Sequence, residues 1–217
     1  MPVDPPVCRM ADSGLFVAFE GGDGAGKSTQ IRLLGQALVA RGQEVLTTRE
    51  PGGTPVGTAI REVLLHGDHV APRAEALLFA ADRAHHVATV IEPALGQGRT
   101  VLTDRYMDSS IAYQAAARGL DAGHVRGLSL WATGGLVPHL TVLLDVDSGT
   151  GHERRGDVHD RLESEGRDFH DRVRQGFLDL ASAEPDRYLV LDATLPAESL
   201  HEQVLTAVTD LAGVAAR

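Results

Sequence analysis

An apolar run, Leu15-Phe16-Val17-Ala18-Phe19-Glu20, runs straight into Gly21-Gly22-Asp23-Gly24-Ala25-Gly26-Lys27-Ser28. This octet fits G-x-x-x-x-G-K-[ST], in which successive backbone amides wrap a chain of phosphates while the lysine and the hydroxyl reach phosphate and Mg²⁺. Such a loop needs a buried strand before it and a helix after it. Both are indicated: Ile31, Leu34 and Leu38 share one face at helical spacing over 27–41, and Gly42 supplies a stop. The motif therefore predicts an α/β chain of the P-loop NTPase fold. Its candidate ATP-phosphate-binding set is Gly21, Gly22, Asp23, Gly24, Ala25, Gly26, Lys27, Ser28 and Thr29.

Of the 20 basic residues Lys27 is the only lysine. Arginine supplies positive charge everywhere else, and a compact ammonium stands at the one place where a guanidinium fork would not fit inside the loop. The formal net charge of -10 speaks against a surface that tracks nucleic-acid phosphates, so a phosphate partner must be small and held in a local basic pocket.

Strand and helix signals alternate along the remaining chain. Residues 44–48, 100–104, 140–146 and 187–192 read as strands, and 56–66 and 72–96 as helices, giving about five strands with 15–20. Apolar runs without alternation, spaced by helices, predict a parallel sheet with helices on both faces and ligands beyond the carboxyl ends of its strands. One domain is expected over 15–213, preceded by a flexible extension, 1–14. The dense polar stretch 152–174 reads as a solvated hairpin or a short mobile lid, about 150–166. Nothing near the start has the length of a signal peptide, and neither secretion nor membrane insertion is indicated. Cys8 is the sole cysteine, which excludes an intramolecular disulfide and favours a cytoplasmic setting with an inert thiol. Trp131 is expected in the core. The histidines, His66, His69, His85, His86, His152 and His159 among them, are read as surface or helix residues and not zinc ligands.

Asp104 closes the third strand, where a carboxylate can hold Mg²⁺ or its water shell together with the Ser28 hydroxyl. The chain now shows GGDGAGKST at 21–29, Thr48-Arg49-Glu50-Pro51-Gly52-Gly53-Thr54, Leu78-Phe79-Ala80-Ala81-Asp82-Arg83 and Asp104-Arg105-Tyr106-Met107-Asp108-Ser109-Ser110-Ile111-Ala112-Tyr113-Gln114. Together, from about Phe16 to Leu211, these resemble the bacterial thymidylate kinases, and REPGGT and DRYxxSSxAYQ are far more specific than the P-loop.

The resemblance implies Mg-dependent transfer of the ATP γ-phosphoryl group to dTMP, giving dTDP and ADP in dTTP biosynthesis, by a homodimer. It implies that Phe79 stacks on thymine while Arg83, four residues on and on the same helical face, contacts the base. Arg105 would clamp the acceptor phosphate, with Arg49 on the same side. Asp23 would meet the 3′-hydroxyl. Tyr113 would pack under the deoxyribose and leave no room for a 2′-hydroxyl. Ser109, Ser110 and Gln114 complete the acceptor set. Lys27 and Arg105, with Arg154, Arg155 and Arg161 from the lid, make up the catalytic set, though Arg154 could instead stack on adenine beside Asp192-Ala193-Thr194. Glu50-Pro51 matches a position where a cis peptide is common. Two rivals stay open: a kinase of the same fold with another acceptor, and a switch that hydrolyses nucleotide without transfer. The guanine-binding kind of switch needs an N-K-x-D reader, which a chain with one lysine in its P-loop lacks.

Overall fold

The computed structural model describes residues 8–11, 13–154 and 160–215. In chain order come β1 (Leu15–Glu20), α1 (Lys27–Val39), β2 (Val45–Arg49), α2 (Pro55–Arg61), α3 (Pro72–His86), α4 (Glu92–Gly96), β3 (Thr100–Asp104) and α5 (Met107–Ser110). Then follow α6 (Ala122–Ala132), β4 (Leu140–Asp145), α7 (Ser148–Glu153), α8 (Arg167–Ala183), β5 (Tyr188–Asp192) and α9 (Ala197–Ala215). Wider π-helical turns at Glu62–His66, Val87–Ile91 and Ile111–Ala117 prolong α2, α3 and α5. Thr54 starts α2 by accepting the Gly57 amide, with Pro55 in the first turn, and Asp121 and Asp147 cap α6 and α7 in the same way.

All strand pairings are parallel, in the order β2-β3-β1-β4-β5. Alternate residues of each strand enter different cores. Val17 and Phe19 join Leu34, Leu38, Val204 and Val208 on the α1/α9 side, while Phe16 and Ala18 join Ile91, Met107 and Leu136. Burial on both faces is why the strands read as unbroken apolar runs. Strand order reverses beside β1, whose neighbours are β3 and β4. The crevice beyond the carboxyl ends therefore opens where the P-loop leaves β1 and Asp104 ends β3.

The strands fall within a residue or so of expectation; other features differ. The second half of 152–174 is neither hairpin nor lid: it is the start of α8, which buries Phe169, Val173, Phe177 and Ala181 along one stripe and keeps its charges on the outer face. Trp131 is 70% exposed, because α6 turns Val125, Ser129 and Leu130 inward and carries the next residue round to solvent. His86 is fully buried, held by Glu50 and Thr48. Within the stretch expected as an extension, Arg9 exchanges backbone hydrogen bonds with Gly135 and Val137 and pairs with Glu92. No helix among the described residues is long and apolar enough to cross a membrane.

Candidate active site

The loop after β1 needs its glycines. Gly21, Gly24 and Gly26 lie at φ of 133°, 78° and 94°, and a Cβ on Gly24 would collide with the Gly151 carbonyl at the base of α7. This close approach ties the loop to the segment that leads into Arg154. The Lys27 ammonium folds back onto the loop, donating to the Gly21 and Gly22 carbonyls at 3.1 and 2.9 Å. Burial, reinforced by Arg105, lowers its pKa below the ordinary lysine value, against the pull of Asp104, Asp23 and Glu20. The Ser28 hydroxyl donates to Asp104 Oδ2 at 3.1 Å. One hydroxyl and one carboxylate make a hard-oxygen pair that suits Mg²⁺, which keeps several waters and shares phosphate oxygens instead of filling an all-protein cage.

Arg105 is the hub. It is the only non-glycine with positive φ among the described residues, at 68°, and its amide donates to the Phe19 carbonyl. That backbone turn swings the guanidinium across the P-loop. Nη1 donates to the Gly21 carbonyl and Ser109 Oγ, both at 3.1 Å, and Nη2 donates to Asp23 Oδ1 at 2.6 Å and the Tyr113 hydroxyl at 3.1 Å. Tyr113 in turn donates to Asp23 Oδ2 at 3.1 Å. Burial pushes the Asp23 pKa up, but Arg105 and Lys27 outweigh it and hold the carboxyl well below the usual range. A planar donor fork already held in place by one carboxylate is preformed for anion recognition.

Glu20 belongs to no motif in the sequence. At the buried end of β1 it accepts the Tyr106 amide at 2.8 Å, the Ser109 amide at 3.1 Å and the Ser109 hydroxyl at 2.5 Å, so it caps α5 from a neighbouring strand. Burial and the nearby Asp108 charge push its pKa up to about 7. An acid closing an apolar strand was the available signal, but partners 86 and 89 residues away cannot be read from spacing.

A cleft of about 520 Å³ runs from Gly24, Lys27 and Ser28 past Arg49, Asp104, Arg105, Ser109 and Ser110 to Phe79, Tyr113 and Gln114. A second hollow of about 220 Å³, lined by Thr29, Gln30, Ala193 and Leu195, shares Arg154 with it. Arg154 donates to the Ala193 carbonyl at 2.8 Å, which sets it beside the loop after β5. Arg49 has no side-chain partner among the described residues and faces the cleft.

Two expected site residues lie elsewhere. Arg83 is buried behind the cleft wall, paired with Glu50 at 2.8 Å and donating to Ser110 Oγ and the Tyr106 carbonyl, both at 3.1 Å. Sharing a helical face with Phe79 does not bring it into the opening, because the turn at 50–51 supplies a carboxylate that draws it inward. Arg161 points away from the phosphate loop, donating to the Leu64 carbonyl at 2.8 Å and Glu75 at 2.6 Å. Arg155 lies outside the described residues. The Glu50-Pro51 peptide is cis.

Residues 19–204 match the family model for thymidylate kinase. A thymidylate kinase of Clavibacter michiganensis subsp. michiganensis is 58% identical over 198 residues, covering 89% of this chain and 94% of the relative. One of Bifidobacterium longum (strain DJO10A) is 54% identical over 205 residues, 92% of this chain and all of the relative. The crystal structure of thymidylate kinase from Ehrlichia chaffeensis superposes with a TM-score of 0.77 at 31% identity, covering 91% of this chain and 99% of that one.

Proposed function

Because the chain belongs to the thymidylate kinase family, we propose that its cleft transfers the terminal phosphoryl group of ATP to dTMP, giving dTDP and ADP. The enzyme is a nucleoside monophosphate kinase. The observation that carries the reading for this chain is that one continuous cleft is lined by phosphate-loop groups, by Arg105 and by Phe79, Tyr113 and Gln114, with Arg105 hydrogen-bonded both to the loop and to Tyr113.

The acceptor phosphate has its second pKa near 6, so at pH 7 it is mostly dianionic and needs no general base. Positioning and charge neutralisation then do the catalysis. Lys27 leaves the loop carbonyls for the donor phosphates, and the loop amides wrap them. Arg105, with Arg49, brings the acceptor phosphate into line. Asp23 and Tyr113 meet the deoxyribose, and Phe79 stacks on the base. Ser28 and Asp104 would hold Mg²⁺, which would supply neutralisation of phosphate charge. Arg154 closes on the donor side beside Ala193, whereas Arg83 and Ser110 support the base pocket from behind and at its wall. Arg161 keeps no role at the phosphates.

A homodimer is part of the proposal, supported by Trp131 on α6 and Leu77 on α3, large apolar side chains exposed to 70% and 58% on helices that pack together. The cytoplasm is the setting proposed, on the strength of the single cysteine.

The test is ADP formation with Mg·ATP and dTMP, dUMP, dCMP, UMP, AMP or GMP, alongside Lys27→Ala. The expected result is a strong preference for dTMP that the variant loses, with dUMP a poorer substrate by the roughly 1–3 kcal/mol that a methyl group is worth. ADP released equally without an acceptor, or only with another monophosphate, overturns the dTMP reading.

A further inference from the structure

Glu75 lies on α3 outside the cleft, its side chain fully buried, and it holds more polar partners than its burial alone demands. Oε1 accepts Gln114 Nε2 at 2.9 Å; Oε2 accepts Arg161 Nη2 at 2.6 Å. Arg118 adds longer contacts at 3.4 and 3.5 Å and is itself tied to Glu165 at 2.6 Å. A carboxylate between two guanidiniums offers acceptors only. The side-chain amide of Gln114 must therefore turn its NH₂ toward Glu75, and its carbonyl takes the opposite direction. Gln114 lines the base end of the cleft, and its Oε1 has no hydrogen-bond partner among the described residues.

We propose that Glu75 is a positioning residue for base selection: by fixing the Gln114 amide in one of its two orientations, it leaves the cleft reading a ring N–H and not a ring acceptor. Thymine and uracil carry such an N–H at N3; cytosine has a lone pair there. The flipped amide would invert that preference, and nothing but the partner of Nε2 distinguishes the two orientations of an otherwise symmetric fork. Arg161 takes the second carboxylate oxygen, so that beside Gln114 only the longer Arg118 Nε contact at 3.4 Å falls on Oε1. Arg161 also holds the Leu64 carbonyl, which fixes its guanidinium beside Glu75. The inference rests on the cleft being the acceptor site of a dTMP kinase.

Glu75→Gln keeps the shape but lets position 75 present either an oxygen or an NH₂, freeing the Gln114 amide to turn. We expect kcat/KM for dTMP to fall about ten- to hundredfold, the scale of a mispaired buried polar group. For dCMP it should fall less or rise, so that the dTMP:dCMP ratio drops at least tenfold while KM for ATP stays within about twofold. A folded variant in which both substrates lose equally, or the ratio is unchanged, overturns the proposal and leaves Glu75 a packing residue. Should Glu75→Gln fail to fold, Arg161→Met is read by the same ratio, with a smaller drop expected and no drop counting against the proposal. Wild-type enzyme that ignores dTMP would instead sink the reading on which this inference rests, and the two failures are told apart by that arm alone.

Discussion

Asp82 shows how a single buried group sets a pH dependence. Its Oδ1 accepts the Gly52 amide at 3.3 Å, its Oδ2 has no partner among the described residues, and burial with the Glu50 charge close by pushes its pKa up to about 6 from an ordinary 3.8. Between those values the folded chain holds more protons than the unfolded one. Its contribution to stability is therefore complete below about pH 4, is lost as pH rises through about 6, and amounts to no more than roughly 3 kcal/mol. Asp82→Asn should flatten this limb: the loss of urea midpoint between pH 5 and pH 7.5 ought to be smaller in the variant, and equal losses would remove Asp82 from the account. The same comparison shows what a sequence reveals at this scale. Lys27, Ser28 and Asp104 can be picked out because their types and spacing carry chemistry, and Arg105 and Tyr113 because the motif around them resembles that of a known family. Glu20, Glu75 and His86 cannot, since each is defined by a partner brought close only by the sheet and its helices, and the pairing with Glu50 that draws Arg83 out of the opening is equally long-range.

At the scale of elements, the strands were legible because burial on both faces leaves an unbroken apolar run, and α8 was not, because its buried stripe is diluted by the charges of its solvent face. The π-helical turn at Ile111–Ala117 was invisible for another reason: it changes the hydrogen-bond partner, not the residue types. That turn carries Tyr113 and Gln114 and lies against α8, where Gly176 permits the approach. A Cβ on Gly176 would stand 2.8 Å from Ala116 Cβ and 3.2 Å from Ala112 Cα. Gly176→Ala would gain about 1 kcal/mol of helix propensity and lose roughly 1–3 to overpacking. We expect a net loss of about 1 kcal/mol in a denaturation experiment, with KM for dTMP raised severalfold as the wider turn shifts, and KM for ATP hardly altered. A stabilised variant with unchanged KM would mean that the two elements yield without moving the cleft wall.

For the molecule as a whole, a chain of net charge -10 binds two polyanionic nucleotides by gathering Lys27, Arg49, Arg105 and Arg154 along one cleft, whose own carboxylates are engaged locally, Asp23 by Arg105 and Asp104 by Ser28. What that design leaves unexplained is the apolar outer side of α3 and α6. A tryptophan 70% exposed to water is costly to solubility, and aromatic side chains are enriched where two proteins meet. Burying Trp131 and Leu77 against a second copy would remove that exposure, and α3 also contributes Phe79 to the acceptor end of the cleft, with Arg83 buried behind its wall. Pairing through them would brace the base pocket in each subunit. Sedimentation equilibrium should accordingly return about twice the mass of one chain for the wild type, and Trp131→Glu should return the mass of one chain with the native far-ultraviolet spectrum kept. The dissociated variant should also show a raised KM for dTMP ahead of any change in KM for ATP, because only the acceptor wall loses its brace. A wild type that sediments as one chain at micromolar concentration would rule out the dimer and leave Trp131 as exposed surface.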